Sequence, residues 1–107
     1  MGRQEINPIN EGQCLGLSLG SIGVSAIEIK VGTSRVSDRR GVYIKNTTDV
    51  VLKWGFDSAT CVFPLTAESS VGKGDGGDIW IDVGDQQPLY IVAVSGSGKT
   101  AAIAELR

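Results

Sequence analysis

The apolar residues of this chain recur with a period of two along most of its length. In residues 25–31, for example, Ile27, Ile29 and Val31 alternate with two charged residues. This spacing turns one face of a strand towards a core and the other towards water. Similar segments are separated by short runs rich in Gly, Asp, Asn and Ser, and no segment has the helical period. The pattern predicts an all-β fold, an antiparallel β-sandwich or jelly roll of roughly eight short strands.

The strand positions follow from the alternation and from the turn residues between them. Residues 46–49 are predicted to form a turn joining two antiparallel strands, and the glycine-rich residues 68–78 a mobile surface excursion. Residues 1–12 contain Pro8 and lack periodicity, so we expect an extended or flexible N-terminal arm followed by one β-sandwich domain over residues 13–107. Strands are expected near residues 13–19, 25–31, 42–45, 51–56, 61–65, 79–83, 88–94 and 100–106.

The composition excludes most catalytic and metal-binding chemistries. The 107 residues contain no His, which removes Ser-His-Asp and Cys-His triads and His-ligated zinc. The two cysteines, Cys14 and Cys61, cannot build a four-cysteine metal site, and without an apolar signal segment we expect both as free thiols in a reducing compartment. A thin sandwich of this length also leaves little room for a deep cleft. We therefore expect no enzyme activity, no catalytic residues, no cofactor and no bound metal.

The charge balance argues against nucleic acid as a partner. The net charge is −2, whereas nucleic-acid-binding proteins usually present a basic face. The nearest basic cluster is formed by Arg35, Arg39 and Arg40, and Asp38 lies within it. The longest uninterrupted apolar stretch, residues 89–94, is too short to cross a bilayer. We expect neither a nucleic-acid partner nor a membrane association.

The string AVSGSGKT, residues 93–100, is similar to a phosphate-binding loop. It follows an apolar strand and differs from the pattern G-x-x-x-x-G-K-[ST] only by Ala93 in place of the first Gly. Nucleotide binding by such a loop needs a following helix and a downstream carboxylate that holds magnesium. Only seven residues follow Thr100, and every upstream segment has the pattern of a short strand. The string is therefore predicted to be a hairpin turn whose glycines adopt positive φ.

Four aspartates, Asp75, Asp78, Asp82 and Asp85, raise the question of a calcium site. Calcium needs about six to eight oxygen ligands at a fixed spacing, and neither the EF-hand pattern nor a glycine-rich nonapeptide repeat is present. Asp82 also falls on the polar face of a predicted strand. We expect solvated acidic turns.

The aromatic residues offer another type of binding surface. Trp54, Phe56, Trp80 and Tyr90 would form a carbohydrate platform if several lay on one exposed face. Trp80 has the opposite parity to the isoleucines beside it, so we expect its side chain to point away from the core. An outward aromatic side chain is either a binding residue or covered by a loop or a neighbouring subunit. A glycan ligand therefore stays an alternative.

The second half of the chain resembles small β proteins of tailed-phage virions. The motifs are, in order across residues 38–107, DRRGVYIKN, TTDVVLKWGFDS, VFPLTAESS, IWIDVG and PLYIVAVSGSGKTAAIAEL. They are similar to a family pattern of an arginine-bearing strand ending in Asn, a further strand, a Pro-Leu turn and a closing hairpin of the type PLYAIAxSGT. The long glycine-rich loop and the SGSGKT turn depart from that pattern.

The resemblance implies a non-enzymatic virion structural protein, in the first place a capsid decoration or cement protein that binds and stabilises the head. It implies the major capsid protein or other virion proteins as partners, a homo-oligomer or many copies on a lattice, and passage from the host cytoplasm into the virion. The partner-binding residues would be Ile6, Pro8 and Ile9, which can pair with a neighbour's sheet edge, together with Trp80. The alternatives are a head–tail, collar or fibre accessory protein and a free-standing glycan- or protein-binding β module.

Overall fold

The computed structural model describes residues 14–70 and 72–107, and the side chains among them from Leu19 onward. Every regular element in this part of the chain is a strand, and the strands form two four-stranded antiparallel sheets. The all-β sandwich predicted from the alternation is confirmed. No helix able to span a bilayer occurs among the described residues. The strands are β1 (Cys14–Ile22), β2 (Ile27–Glu28), β3 (Gly41–Lys45), β4 (Leu52–Gly55), β5 (Phe63–Leu65), β6 (Asp78–Ile81), β7 (Tyr90–Ala93) and β8 (Lys99–Leu106).

The strand order is that of a jelly roll. The first sheet has the order β1-β8-β3-β6 and the second sheet the order β2-β7-β4-β5. β1 pairs with β8, β2 with β7, β3 with β6 and β4 with β5, all antiparallel. The chain is thus one long hairpin with its tip between β4 and β5, wound so that successive pairs fall alternately in the two sheets.

Aliphatic side chains of inward parity fill the space between the sheets. Val42 and Ile44 of β3 and Ile103 of β8 share one core cluster with Leu52 of β4 and Ile91 of β7. All five side chains are buried. Complete burial of such a side chain contributes about 1.5–3 kcal/mol, so the alternation that predicts the strands also supplies their main stabilisation.

A buried asparagine forms the corner where the chain passes from the first sheet to the second. The Asn46 side-chain amide donates to the carbonyl oxygens of Val50 and Leu65, at 2.8 and 2.9 Å, and its Oδ1 accepts from the amide and the hydroxyl of Thr48. Because Asn46 is fully buried, these bonds satisfy polar groups that water cannot reach. The turn at residues 46–49 therefore joins strands of different sheets and not two partners of one hairpin.

β2 is much shorter than the alternation around it predicts. Only Ile27–Glu28 pairs with β7, and the next amide, that of Ile29, still donates to the Leu89 carbonyl oxygen. The amide of Val31 donates instead to the Glu105 carboxylate, at 2.7 Å. After Ile29 the chain therefore leaves the second sheet and approaches β8 of the first sheet.

Candidate functional site

A buried ion pair organises the connections at one end of the sandwich. Nη1 of Arg39 lies 2.7 Å from Oε2 of Glu105, and neither side chain has exposed area. The Arg39 guanidinium also donates to the carbonyl oxygens of Gly84 and Gln87, and the Glu105 carboxylate accepts from the Val31 amide. The pair ties the β2–β3 and β6–β7 connections to β8, and its burial makes it a structural element and not a ligand site.

The arginines of the predicted basic cluster each have a different partner. Arg35 forms an ion pair with Glu28, at 2.7 Å, while the buried Arg39 pairs within the sandwich. The Arg40 guanidinium donates to the carbonyl oxygen of Arg107, at 3.3 Å. The three side chains are therefore directed to separate places.

The SGSGKT segment connects β7 of the second sheet to β8 of the first. Gly96 and Gly98 have φ values of 80° and 65°, the positive values predicted for this turn. The segment crosses between sheets, however, and does not close a hairpin. Lys99 begins β8, and its Nζ lies 3.0 Å from Oδ1 of Asp49. A strand therefore follows these glycines, where a phosphate-binding loop requires a helix N-terminus.

Two carboxylates hold the backbone of the glycine-rich loop at residues 68–78. The buried Glu68 accepts hydrogen bonds from the amides of Gly72 and Gly74, at 2.8 and 3.0 Å. The hydroxyl and the amide of Ser69 donate to Asp75, and these bonds hold the pKa of the Asp75 carboxyl below its usual value. The surface excursion predicted here is thus organised by side chains from within the loop.

The other three of the four aspartates in the predicted acidic turns do not share a donor or a ligand-like arrangement within the described chain. Asp78 accepts from the Tyr43 hydroxyl at 2.6 Å, Asp82 accepts from Nε1 of Trp80 at 2.9 Å, and Asp85 lies in the β6–β7 connection. The described residues contain no group of three or more His, Cys, Asp or Glu side chains placed to hold a metal ion.

Trp80 lies on the outer face of the first sheet, as its parity predicts. Its side chain is 45% exposed, and β6, which carries it, is an edge strand. A Cβ atom built at Gly41 would lie 2.6 Å from Cζ2 of the indole, so the ring packs directly on the β3 backbone. The indole is therefore supported by the sheet and still has exposed area.

Polar side chains from two strands surround the Trp80 indole. Tyr43 lies opposite Trp80 in the β3–β6 register, and Asp78 and Asp82 have the same parity as Trp80. The bond from Tyr43 to the Asp78 carboxylate raises the pKa of the Tyr43 hydroxyl. Within the described chain, each carboxylate has a second oxygen without a protein donor. We call Gly41, Tyr43, Asp78, Trp80 and Asp82 the Trp80 face.

A second group of aromatic side chains lies at the β4–β5 hairpin. The rings of Trp54 and Phe63 are 4.8 Å apart, and those of Trp54 and Phe56 are 5.4 Å apart with edge-to-face geometry. Trp54 is buried, whereas Phe56 and Phe63 are 46% and 43% exposed and Val62 is 61% exposed. We call Phe56, Val62 and Phe63 the hairpin patch.

The structure separates the four aromatic residues that the carbohydrate platform would need. Trp54 belongs to the core and Phe56 to the hairpin patch, whereas Trp80 lies on the first sheet and Tyr90 on β7 of the second. Phe63, which the sequence did not single out, joins Trp54 because the β4–β5 register places the two residues opposite each other. Only that register could have revealed the pairing.

Ile6, Pro8 and Ile9 lie outside the described residues, as does the whole predicted arm at 1–12. The strand that follows them, β1, is an edge strand of the first sheet and extends to Ile22, beyond its predicted end.

Cys61 carries a free thiol and lies partly buried before β5. Burial, assisted by the nearby Asp57 charge, raises the pKa of this thiol. The side chain of Cys14 lies outside the described part of the chain. The free state predicted for Cys61 is confirmed, and that of Cys14 stays a prediction.

Two surfaces of the described chain therefore present exposed aromatic side chains, the Trp80 face on the first sheet and the hairpin patch on the second. Clustered exposed apolar side chains such as those of the hairpin patch mark interaction sites. Comparison with known proteins gives no matching family model, no match among curated proteins and no match among solved structures.

Proposed function

We propose that this chain is a non-enzymatic structural protein of a tailed-phage virion, which binds the capsid as a decoration or cement protein. The observation that carries a docking role is the exposure of anchored aromatic side chains on a small jelly roll. Jelly rolls recur in viral capsid and lectin domains, but a fold alone does not determine a function. The sequence resemblance over residues 38–107 supports the virion assignment.

The hairpin patch supplies the apolar part of this contact. Its two phenylalanines pack against Trp54, which is buried in the core. Aromatic side chains held in this way lose little conformational freedom when a partner covers them, and such residues dominate interface energies. The edge strand β5 beside the patch contains Pro64, which limits strand addition there, so side-chain contact is the favoured mode.

The N-terminal arm supplies a second contact in this proposal. Ile6, Pro8 and Ile9 precede an edge strand, and an extended segment at this position can add to a sheet edge of a neighbouring capsid subunit. Many copies on a repeating lattice, assembled from the host cytoplasm onto the virion, would make a weak single contact sufficient.

Co-sedimentation with purified heads tests the proposal. The double variant Phe56→Ser/Phe63→Ser should bind heads at least about tenfold more weakly, a change of about 1.4 kcal/mol. Val94→Ser is the matched control, since Val94 is also exposed but lies in the β7–β8 connection. Association with tails or fibres instead of heads would refute the cement assignment, and association with no virion component would refute the virion assignment.

A free-standing glycan-binding module is the second candidate. The exposed Trp80 indole favours it, because a flat aromatic ring with carboxylates beside it can stack on a sugar ring and accept its hydroxyl groups. Saturable binding of a glycan by the monomeric protein, lost in Trp80→Ala, would support this candidate over the virion proposal.

A further inference from the structure

We infer that the Trp80 face binds a basic side chain of a partner protein, an arginine whose guanidinium stacks on the indole and donates to Asp82. The inference rests on the proposed docking role and adds the chemistry of the partner. It begins with the indole, which packs on the backbone at Gly41 and whose exposed area a planar group can cover.

The orientation of the indole is already determined without a ligand. Nε1 of Trp80 donates to Oδ1 of Asp82, at 2.9 Å, and the ring packs on β3 where Gly41 has no side chain. The Nε1–H group is therefore used within the protein, and the ring offers a partner its π face. A π face attracts cations, and arginine is the cation found there most often.

The charges on the Trp80 face point to the same class of ligand. The bond to Nε1 of Trp80 places the Asp82 carboxylate at the edge of the ring, with its second oxygen free of protein donors in the described chain. Asp78 lies two residues from Trp80 on the other side, roughly 6–7 Å along the strand. Neither carboxylate forms an ion pair with a described residue, so a cation over the indole would meet two carboxylates without a direct ion-pair partner in the described chain.

The cations nearest to this face in sequence form no ion pair with its carboxylates in the described chain. Lys45 lies opposite Asp78 in the β3–β6 register without forming an ion pair with it. Arg40, which precedes Gly41, directs its guanidinium to the carbonyl oxygen of Arg107. A neutral sugar would give neither aspartate an ion-pair partner, whereas a guanidinium pairs with one carboxylate directly and interacts with the other at longer range.

Nuclear magnetic resonance of the intact protein tests the site without a virion. The probe is Nα-acetyl-arginine amide, and the measured quantity is the chemical shift of the Trp80 indole Nε1–H. This resonance is assigned as the one that is absent from the spectrum of Trp80→Phe. Stacking and one exposed ion pair predict a dissociation constant on the order of 10 mM. Nα-acetyl-citrulline amide has nearly the same shape but no charge, and it should bind at least about fivefold more weakly.

Three single variants separate the contributions. Asp82→Asn keeps an acceptor for the indole but removes the charge, and should weaken arginine binding about fivefold, while Asp78→Asn should weaken it about twofold. Asp57→Asn removes another exposed charge, in the β4–β5 connection, and should have no effect. Equal shifts with both probes, wild-type affinity in Asp82→Asn, or a shift with methyl glucoside and none with arginine would each overturn the inference.

The two proposals fail in different ways. A protein that co-sediments with heads but does not bind the arginine probe contradicts the arginine site alone. A protein that binds the probe through Asp82 but associates with no virion component contradicts the virion assignment alone.

Discussion

Replacing Glu105 by Gln removes the charge that balances Arg39 inside the sandwich. The Glu105 carboxylate accepts from Nη1 of Arg39 and from the amide of Val31, both at 2.7 Å, and the ion-paired side chains are fully buried. A glutamine has only one acceptor oxygen, so one of these two donors would face the NH2 group of the glutamine, which is itself a donor. The Arg39 guanidinium would also lose its counter-ion. Breaking a buried ion pair costs about 3–5 kcal/mol. Domains are stabilised by about 5–15 kcal/mol in all, so the loss should be severe.

Replacing both members of the pair should not restore stability. An isolated buried pair can often be exchanged for apolar residues without loss. Here Arg39 also donates to the carbonyl oxygens of Gly84 and Gln87, and Glu105 accepts from Val31. Each of these backbone groups, left without a partner, costs about 1–3 kcal/mol. The double variant Arg39→Met/Glu105→Leu should therefore also be less stable than the wild type.

Urea unfolding followed by tryptophan fluorescence measures these changes. Asp49→Asn is the matched control, because Asp49 forms a partly exposed ion pair with Lys99, and the urea midpoint should change far less. A loss in Glu105→Gln below about 1 kcal/mol, the range of exposed ion pairs, would refute this account of the buried pair.

Three further outcomes are expected. Lys99→Ala should leave stability nearly unchanged, and calorimetry should detect no saturable binding of magnesium-ATP; saturable binding that this substitution abolishes would restore the nucleotide-binding alternative. The hydrogen bond to Asp78 raises the pKa of Tyr43 above 10.0, so this bond stabilises the fold fully below pH 10.0. Its contribution to the free energy of unfolding should be lost as the pH rises through the folded-state pKa of Tyr43. The urea midpoint of Tyr43→Phe should not show this pH-dependent loss. Cys61, whose thiol pKa is raised by burial, should be alkylated by iodoacetamide at pH 7 more slowly than a free cysteine peptide, as mass spectrometry would show.

The approximate strand positions, apart from the short β2, and the orientation of Trp80 could be predicted because both depend on local parity. The assignment of strands to sheets could not. β3 and β4 lie in different sheets at a corner where the Asn46 amide bonds to Leu65, 19 residues away in the chain. The turn composition at residues 46–49 is the same for a hairpin and for a crossing between sheets, so only the tertiary partner distinguishes them.

The candidate site could likewise be predicted only where it depends on local parity. Parity places Trp80 outside, but its support by Gly41 and the position of Tyr43 depend on the register between β3 and β6. The ion pair of Arg39 with Glu105 joins residues 66 apart and leaves no local signal in the sequence. The period of the apolar residues carries no information on the register between distant strands or on which distant side chains pair.

The winding of one hairpin into a jelly roll also sets the order in which the chain can fold. β4 and β5 bring Leu52 to Leu65 across a short connection, whereas β1 and β8 bring Cys14 to Leu106. The entropy lost in closing a loop grows with the length of flexible chain that the loop encloses. Once an inner strand pair such as β4–β5 has formed, the next pair outward has less flexible chain to close. Folding should therefore start at the hairpin that carries the aromatic patch, and pulse-labelling hydrogen exchange during refolding should show β1 protected last.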